Sequence, residues 1–578
     1  MYRYLVYVSL IAVSTLCLIV LLNRPPGDYA TDETTLAEGK KLFRTQCISC
    51  HALEHDGVGP RLGGITDLLR EKELMDFIRN PSRVIASGNE RAVALHGRYK
   101  QTMPAYDWME DEAIHSVLSY IHQQTRQYQI EGLTAVSSEL TPDGLTGPIA
   151  APVKRSSLKI ELEEVVCIPR LPYSTPDLGI VTMRPHPTAD GTLFVSDQGG
   201  VLYAVSDGKA EVFMDMRDHI KDFSIGPGLA TGLGSFDFHP DFLDNGLIYI
   251  SHAEKYNGQS ADYRASDSIM AEVQWVLGEW KMDDPTSDSF QGTWRELIRL
   301  HAPTFGHGAQ ELAFVPGLSK QDPDYGLLYW GFGDGGSNNI GRPELGHHLR
   351  SFLGTILRID PRGSNSRNGK YGLPPDNPFA DDPDPAVMKE IWAYGFRNPH
   401  RMAWDHHHGN RMIATDIGEA NIEEINIVEG GGDYGWPYRE GIFGISTTRD
   451  MKSVYKLLSD DRDLFQSPFA QYDHTDGFAI SGGCVYDGDL EILNDRYIFG
   501  DIVNGRLFYV NIDEALTDST IYEIAIVQNG KETSLSEISN TKRLHLRIAC
   551  DRFAKSLYVI TKADGMIRRV TKAYRQER

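Results

Sequence analysis

DPDYGLLYWGFGDGG, residues 322–336, sets a turn rich in Asp, Gly and Pro ahead of a short apolar run. Asp and Gly accept turn backbone, whereas Leu, Tyr and Trp suit a pleated, buried surface, so the stretch reads as a turn followed by a strand. The same figure recurs in PTADGTLFVSDQGGVLYAV (187–205), DFLDNGLIYISH (241–252), HHHGNRMIATDIG (406–418), LNDRYIFGDIVNGRLFYV (493–510) and FAKSLYVITKADGMIRRV (553–570). Six such units, tens of residues apart, predict radial repetition of small antiparallel sheets. A pair of β-sandwiches with long loops is the alternative.

The 55 glycines and 29 prolines agree with a turn-rich, all-β bulk. The 578 residues allow several folding units, and 41% apolar with 24% charged residues is the make-up of a soluble globular protein. A net charge of −23 excludes nucleic acid as a partner, because phosphate binding needs clustered Lys and Arg. At the N-terminus the chain carries no charge from Tyr4 to Leu22, long enough as a helix to cover a ~30 Å hydrocarbon layer. Residues 1–24 therefore read as a transmembrane anchor, with a removed secretory signal as the alternative. Both place the bulk of the chain outside the cytoplasm, in the periplasm, the anchor holding it to the inner membrane. Residues 125–158 are rich in Ser, Thr, Pro and Gly and read as a linker.

Ahead of that linker, TQCISCHALEHDGVGPRLGGI (45–65) holds two cysteines three apart with a histidine directly after the second. That spacing is a covalent attachment site for one c-type haem through Cys47 and Cys50, with His51 as the proximal iron ligand. Residues 31–51 read as a capped helix delivering the thiols, with Leu36, Gly39, Lys40 and Phe43 at helical spacing. QTMPAY (101–106) then offers Met103, just before a C-terminal helix, as the sixth ligand; His55, His96 and His115 compete for that role. From residue 31 to 124 the chain resembles class I cytochrome c, a small all-α domain. Of the six cysteines, Cys17 falls in the anchor, and Cys167, Cys484 and Cys550 remain. One disulfide plus a buried thiol, or three buried small hydrophobes, both account for them.

Over residues 159–573 specific motifs accumulate in order: HPDFLDNGLIYIS, HGAQELAFVPG, LLYWGFGDGG, LGTILRIDPRG, YGLPPDNPF, EIWAYGFRNPHRMAWD, DIGEANIEEINIVEGGGDYGWPYREG and SGGCVYDG. Together they resemble the glucose/sorbosone dehydrogenase family. The resemblance implies an all-β six-bladed β-propeller whose enzyme members bind pyrroloquinoline quinone (PQQ) and Ca²⁺. It also implies that His307 takes the proton from a sugar hydroxyl, a task suited to imidazole. Arg397 and Asn398 would face quinone and substrate, and the backbone carbonyls of Gly418 and Glu419 would hold the PQQ-bound Ca²⁺. Glu419 stands where the family has proline. Glu423, Glu424 and Tyr434 match a second Ca²⁺ position, and Arg543 and His545 match a pair that holds PQQ carboxylates, with Arg547 as the alternative across a one-residue gap.

Two expected PQQ contacts are absent: Leu229 replaces a glutamine or glutamate and Val503 a lysine, a loss that Arg506 or Arg547 could make good. Two functions follow. In the first, the chain is an exported quinohaemoprotein dehydrogenase that oxidises a sugar or related alcohol at PQQ and passes electrons through haem to a downstream acceptor. In the second, the propeller has lost PQQ and is a partner- or ligand-binding module beside an independent electron-carrier haem; SGGCVYDG and DRYIFGDIVNGRLFYV lie closer to the Hedgehog-interacting branch. The triplet His406, His407, His408 reads as a solvated turn rather than a metal site.

Overall fold

The computed structural model describes residues 29–47, 51, 53, 60–99, 103, 105–127, 144–149, 153–169, 179–226, 231–264, 269, 271–419, 421–446, 451, 453–457, 465–553 and 555–576. The expected anchor 1–24, Cys50, His55 and Leu229 lie outside the described residues. The chain divides into two compact units, Met1–Ser137 and Ser138–Arg578.

The smaller unit is helical. Asp32 caps the helix Glu33–Leu42 by accepting from Thr35 N at 3.0 Å, and a π-helical turn, Phe43–Cys47, carries the chain to the first thiol. This helix crosses the long helix Asp111–Gln127 at Gly39, where an added Cβ would sit 1.9 Å from the Ser116 carbonyl oxygen. Only a glycine permits so close a crossing. Phe43, Ile114, Val117, Leu118 and Ile121 form the core beneath it.

The larger unit is β-rich. Six strands, Ile180–Pro185, Leu233–Phe238, Ala309–Phe314, Pro399–Asp405, Cys484–Tyr486 and Leu546–Asp551, each begin an antiparallel array and adjoin one another in that cyclic order, the last returning to the first. The second strands of these arrays, Leu193–Asp197, Leu247–Lys255, Leu328–Phe332, Arg411–Asp416, Arg496–Gly500 and Ser556–Thr561, are the apolar runs of the six recurring figures. In Leu193–Asp197 and Leu328–Phe332 every residue is buried, because neighbouring arrays cover both faces. Antiparallel register sets the start of each inner strand beside the end of the next: Ile180 pairs with Asp197, Ala309 with Phe332, Pro399 with Asp416 and Leu546 with Thr561. Residues just before an inner strand and just after a second strand thus gather at one end of the ring.

Two boundaries differ from the sequence reading. Strand Lys154–Cys167 begins inside the expected linker, pairs antiparallel with the C-terminal strand Met566–Arg575 and parallel with Tyr522–Gln528, and so closes the last array with residues from the front of the domain. Its first residues are largely exposed, which gave them a linker's composition. Upstream of it, Leu145 N donates to Val454 O at 2.8 Å and Ile149 N to Asp473 Oδ2 at 3.0 Å, so residues 144–149 and 153–158 belong to the larger unit. The remaining cysteines also resolve: Cys484 and Cys550 form a disulfide between adjacent inner strands, and Cys167 is an exposed thiol rather than a buried one.

Candidate functional sites

In the smaller unit, Cys47, His51 and Met103 line one cavity of ≈ 250 Å³ walled by apolar side chains such as Leu62, Leu74 and Ile78. His51 Nδ1–H donates to the Pro60 carbonyl at 2.7 Å, which leaves the lone pair of the neutral ring on Nε2, the atom an iron takes. His96 lines the same cavity, whereas His115 pairs with Glu71 elsewhere. An imidazole, a thioether and a thiol on one apolar cavity fit a haem c.

At one end of the larger unit's ring stands His307, at φ 43°, in left-handed backbone that a histidine rarely adopts. Its Nδ1–H donates to Asp334 Oδ1 at 2.7 Å. Asp334 follows the second strand of the same array and is fully buried; it also accepts from Trp436 Nε1 at 3.1 Å and Gly336 N at 2.9 Å. Burial pushes its pKa up, but the charge and hydrogen bond of His307 and the charge of Arg397 outweigh that, so the carboxyl stays below its ordinary value. An ionised Asp334 holds the hydrogen on Nδ1 and leaves Nε2 as the basic atom. The family motifs give Asp334, in GFGDGG, no role; its signal in the sequence is an acidic residue just past a buried strand.

Asp416 fixes the next loop by accepting from Arg397 N at 2.9 Å and Asn398 N at 2.6 Å. Asn398 is 7% exposed, and among the described residues its Oδ1 has no partner. A buried orphan acceptor calls for a ligand donor. The Arg397 guanidinium lies over Trp436, donates to the Ile417 carbonyl at 3.0 Å, and gives Nε and one terminal nitrogen to Glu419 Oε2 at 2.9 and 2.6 Å. Asn338 Nδ2 holds the other Glu419 oxygen at 3.0 Å. The side chain that replaces the family's proline therefore occupies the guanidinium expected to face a quinone.

The three residues matched to a second Ca²⁺ position are each held by protein partners. Glu423 and Glu424 are neighbours on strand Ile422–Val428 and project to opposite faces. Glu423 accepts from His474 Nε2 at 3.0 Å and Ile480 N at 2.8 Å, while Glu424 accepts from Asn426 Nδ2 at 3.1 Å and from Gly441 N. The Tyr434 hydroxyl donates to the Ile427 carbonyl at 2.8 Å and its ring stacks on Phe396. Among the described residues no three His, Cys, Asp or Glu side chains converge as a metal site. His406–His408 is a short 3₁₀ turn pinned by Asp405.

Of the cations expected to hold carboxylates, Arg543 is exposed in the loop before Leu546–Asp551, and His545 is half-buried at φ 51°. Arg506 is held by both oxygens of Glu523 at 2.9 Å. Arg547, on the inner strand, is half-buried: among the described residues its Nε has no partner, and burial with the nearby Arg401 charge brings its pKa down to about 9. Val503 lies in the turn after Arg496–Gly500.

A cytochrome-type cavity and a ring of β arrays bearing a histidine–aspartate pair at one end define a two-domain chain of the dehydrogenase fold. Residues 182–543 match the Glucose / Sorbosone dehydrogenase family and residues 36–125 the Cytochrome c family. The chain belongs to the glucose/sorbosone dehydrogenase family and carries a cytochrome c domain ahead of it. It is 26% identical to the HIPL1 protein of Arabidopsis thaliana over 56% of this chain and 51% of that protein. It is 27% identical to quinoprotein glucose dehydrogenase B of Acinetobacter calcoaceticus over 36% of this chain and 40% of that one. The chain thus spans about half the length of HIPL1 and less of the quinoprotein. A solved structure described as glucose dehydrogenase shares the fold with TM-score 0.50 at 17% identity, covering 68% of this chain and 96% of its own.

Proposed function

We propose that this chain is a quinohaemoprotein dehydrogenase that oxidises a sugar or related alcohol at the His307 end of the ring and delivers the electrons to the haem of its N-terminal unit. The His307–Asp334 pair carries the reading: a half-buried imidazole whose Nδ1–H is fixed by a buried, ionised carboxylate is built to take a proton at Nε2. Six arrays around one axis are read here as a six-bladed propeller. PQQ, polarised by Ca²⁺, supplies a two-electron acceptor when bound, and haem c a one-electron outlet. Asn398 Oδ1 would meet a ligand donor, Arg547 a ligand carboxylate, and the Gly418 and Glu419 carbonyls the Ca²⁺. His307 Nε2 takes the substrate hydroxyl proton, and Asp334 stabilises the imidazolium so formed. Cys47, Cys50, His51 and Met103 would hold the haem. The uncharged stretch Tyr4–Leu22 supports export and anchoring in the inner membrane, with the bulk in the periplasm facing a downstream electron acceptor.

The test is to load the purified holo-cytochrome with PQQ and Ca²⁺, supply a panel of aldoses and alcohols, and follow haem absorbance. Reduction in the wild type and its loss in His307→Ala are expected. No reduction with any substrate, together with no PQQ binding by calorimetry, refutes the reading. A second reading, a ligand-binding module that has lost PQQ, is favoured by one observation: Glu419 already occupies Arg397.

A further inference from the structure

Lys562 directly follows the strand Ser556–Thr561, at the end of the ring that holds His307 and Arg397. It is 6% exposed. Nζ donates to Gln198 Oε1 at 3.3 Å, and among the described residues no carboxylate lies within 4.0 Å of it. Gln198 is itself held by donating Nε2 to the Thr231 carbonyl at 2.8 Å, and among the described residues the Thr231 hydroxyl has no partner. An added Cβ on Gly179 would meet the Lys562 Cβ at 3.1 Å, so the stem is packed in place.

The groups around Lys562 add positive charge rather than cancel it. Arg547 donates to its neighbour's carbonyl, Leu546 O, at 2.8 Å and forms no ion pair among the described residues. Arg401 is matched by Glu311 at 3.1 Å, but the same Glu311 also serves Arg184. Asp197, the acid near Lys562, turns Oδ1 to Gly199 N at 2.6 Å and is pushed up by its own burial. His400 Nδ1–H donates to the Ser481 carbonyl at 2.7 Å. Burial, with Arg547 and Arg401 alongside, pulls Lys562 well below the ordinary lysine range. A buried lysine and a half-buried arginine without counter-ions among the described residues are unfavourable for the fold, a penalty an anionic ligand relieves.

We propose that Lys562 and Arg547 together form a seat for a carboxylate of the bound ligand, supplying from the last array the positive charge that Val503 withholds. This rests on the PQQ reading for the identity of that ligand, while the chemistry recognised is the carboxylate itself. Neither Lys562 nor Gln198 falls in a stretch the sequence reading tied to the cofactor. The two residues come together only because the last array adjoins the first.

The test uses the full-length haem-loaded chain and calorimetric titration with PQQ plus Ca²⁺ and, separately, with malonate, a dicarboxylate without redox chemistry. Lys562→Met is expected to weaken PQQ binding roughly 10- to 100-fold, the range of a charge-assisted hydrogen bond, whereas Lys562→Arg stays within about 3-fold of wild type. Far-UV circular dichroism verifies that both variants fold; loss of an unpaired buried cation favours that. If wild type and Lys562→Met bind PQQ equally, the seat is refuted and the PQQ reading stands. If wild type binds malonate in a Lys562-dependent way but not PQQ, the seat stands and the PQQ reading falls. If wild type binds neither, both fall.

Discussion

Replacing Glu419 by alanine separates two roles that one residue now combines. The backbone carbonyl proposed for Ca²⁺ survives the change, and the carboxylate on Arg397 goes. That carboxylate accepts two charged N–H donors at 2.9 and 2.6 Å, with side chains only 11% and 16% exposed. Net of desolvation, such a contact is worth about 1.5–3 kcal/mol, which any ligand claiming the Arg397 guanidinium must displace. Glu419→Ala should therefore bind PQQ roughly 10- to 150-fold more tightly at fixed Ca²⁺. The ligand-free protein should change the other way. Arg397 keeps the Ile417 carbonyl and the Trp436 face but loses its counter-ion, so unfolding free energy falls by up to about 3 kcal/mol. Calorimetric titration measures the first effect and denaturant unfolding of the cofactor-free chain the second. Unchanged or weaker PQQ binding, despite the loss of stability, would refute the idea that Glu419 blocks the arginine.

Asp334→Asn should leave the fold intact but lower the rate of substrate-driven haem reduction by at least ~10²-fold, because a neutral amide does not stabilise the imidazolium; a rate within threefold of wild type sinks the dyad. Met103→Ala should lower the haem midpoint potential in a redox titration, since a thioether ligand raises it; an unchanged potential would point to His96 instead. Burial brings His239 down to about 4 from 6.5. As a group with a depressed native pKa, it contributes stability that is full above pH 6.5 and lost as pH falls toward 4, on the order of 3 kcal/mol. Denaturant unfolding at pH 7 and pH 4.5 should show that drop, and His239→Gln should flatten it.

The boundaries show where linear reading fails. Residues 154–158 read as linker because the start of their strand is polar and exposed, yet they belong to the strand Lys154–Cys167, whose partners lie some four hundred residues away. No local pattern announces such a partner, since closure of an array by the other end of the domain is a tertiary event. Glu423 and Glu424 are adjacent in sequence but face opposite ways across their strand, which the linear motif does not record. Arg543 lies exposed in a loop and Arg547 half-buried on the inner strand, a difference the motif alone does not carry.

Local chemistry, by contrast, was legible from the residues alone. The Cys-x-x-Cys-His spacing, Met103, the six turn-and-strand figures and the ordered motifs all state short-range requirements, covalent reach, turn backbone and buried apolar runs, that a linear string records directly. What only the folded chain decided is which side chains share space: Asp334 beneath His307, Glu419 on Arg397, and Lys562 beside Gln198 and Arg547. These pairs span strands or arrays, and their charges matter because burial strips away the water that would otherwise screen them.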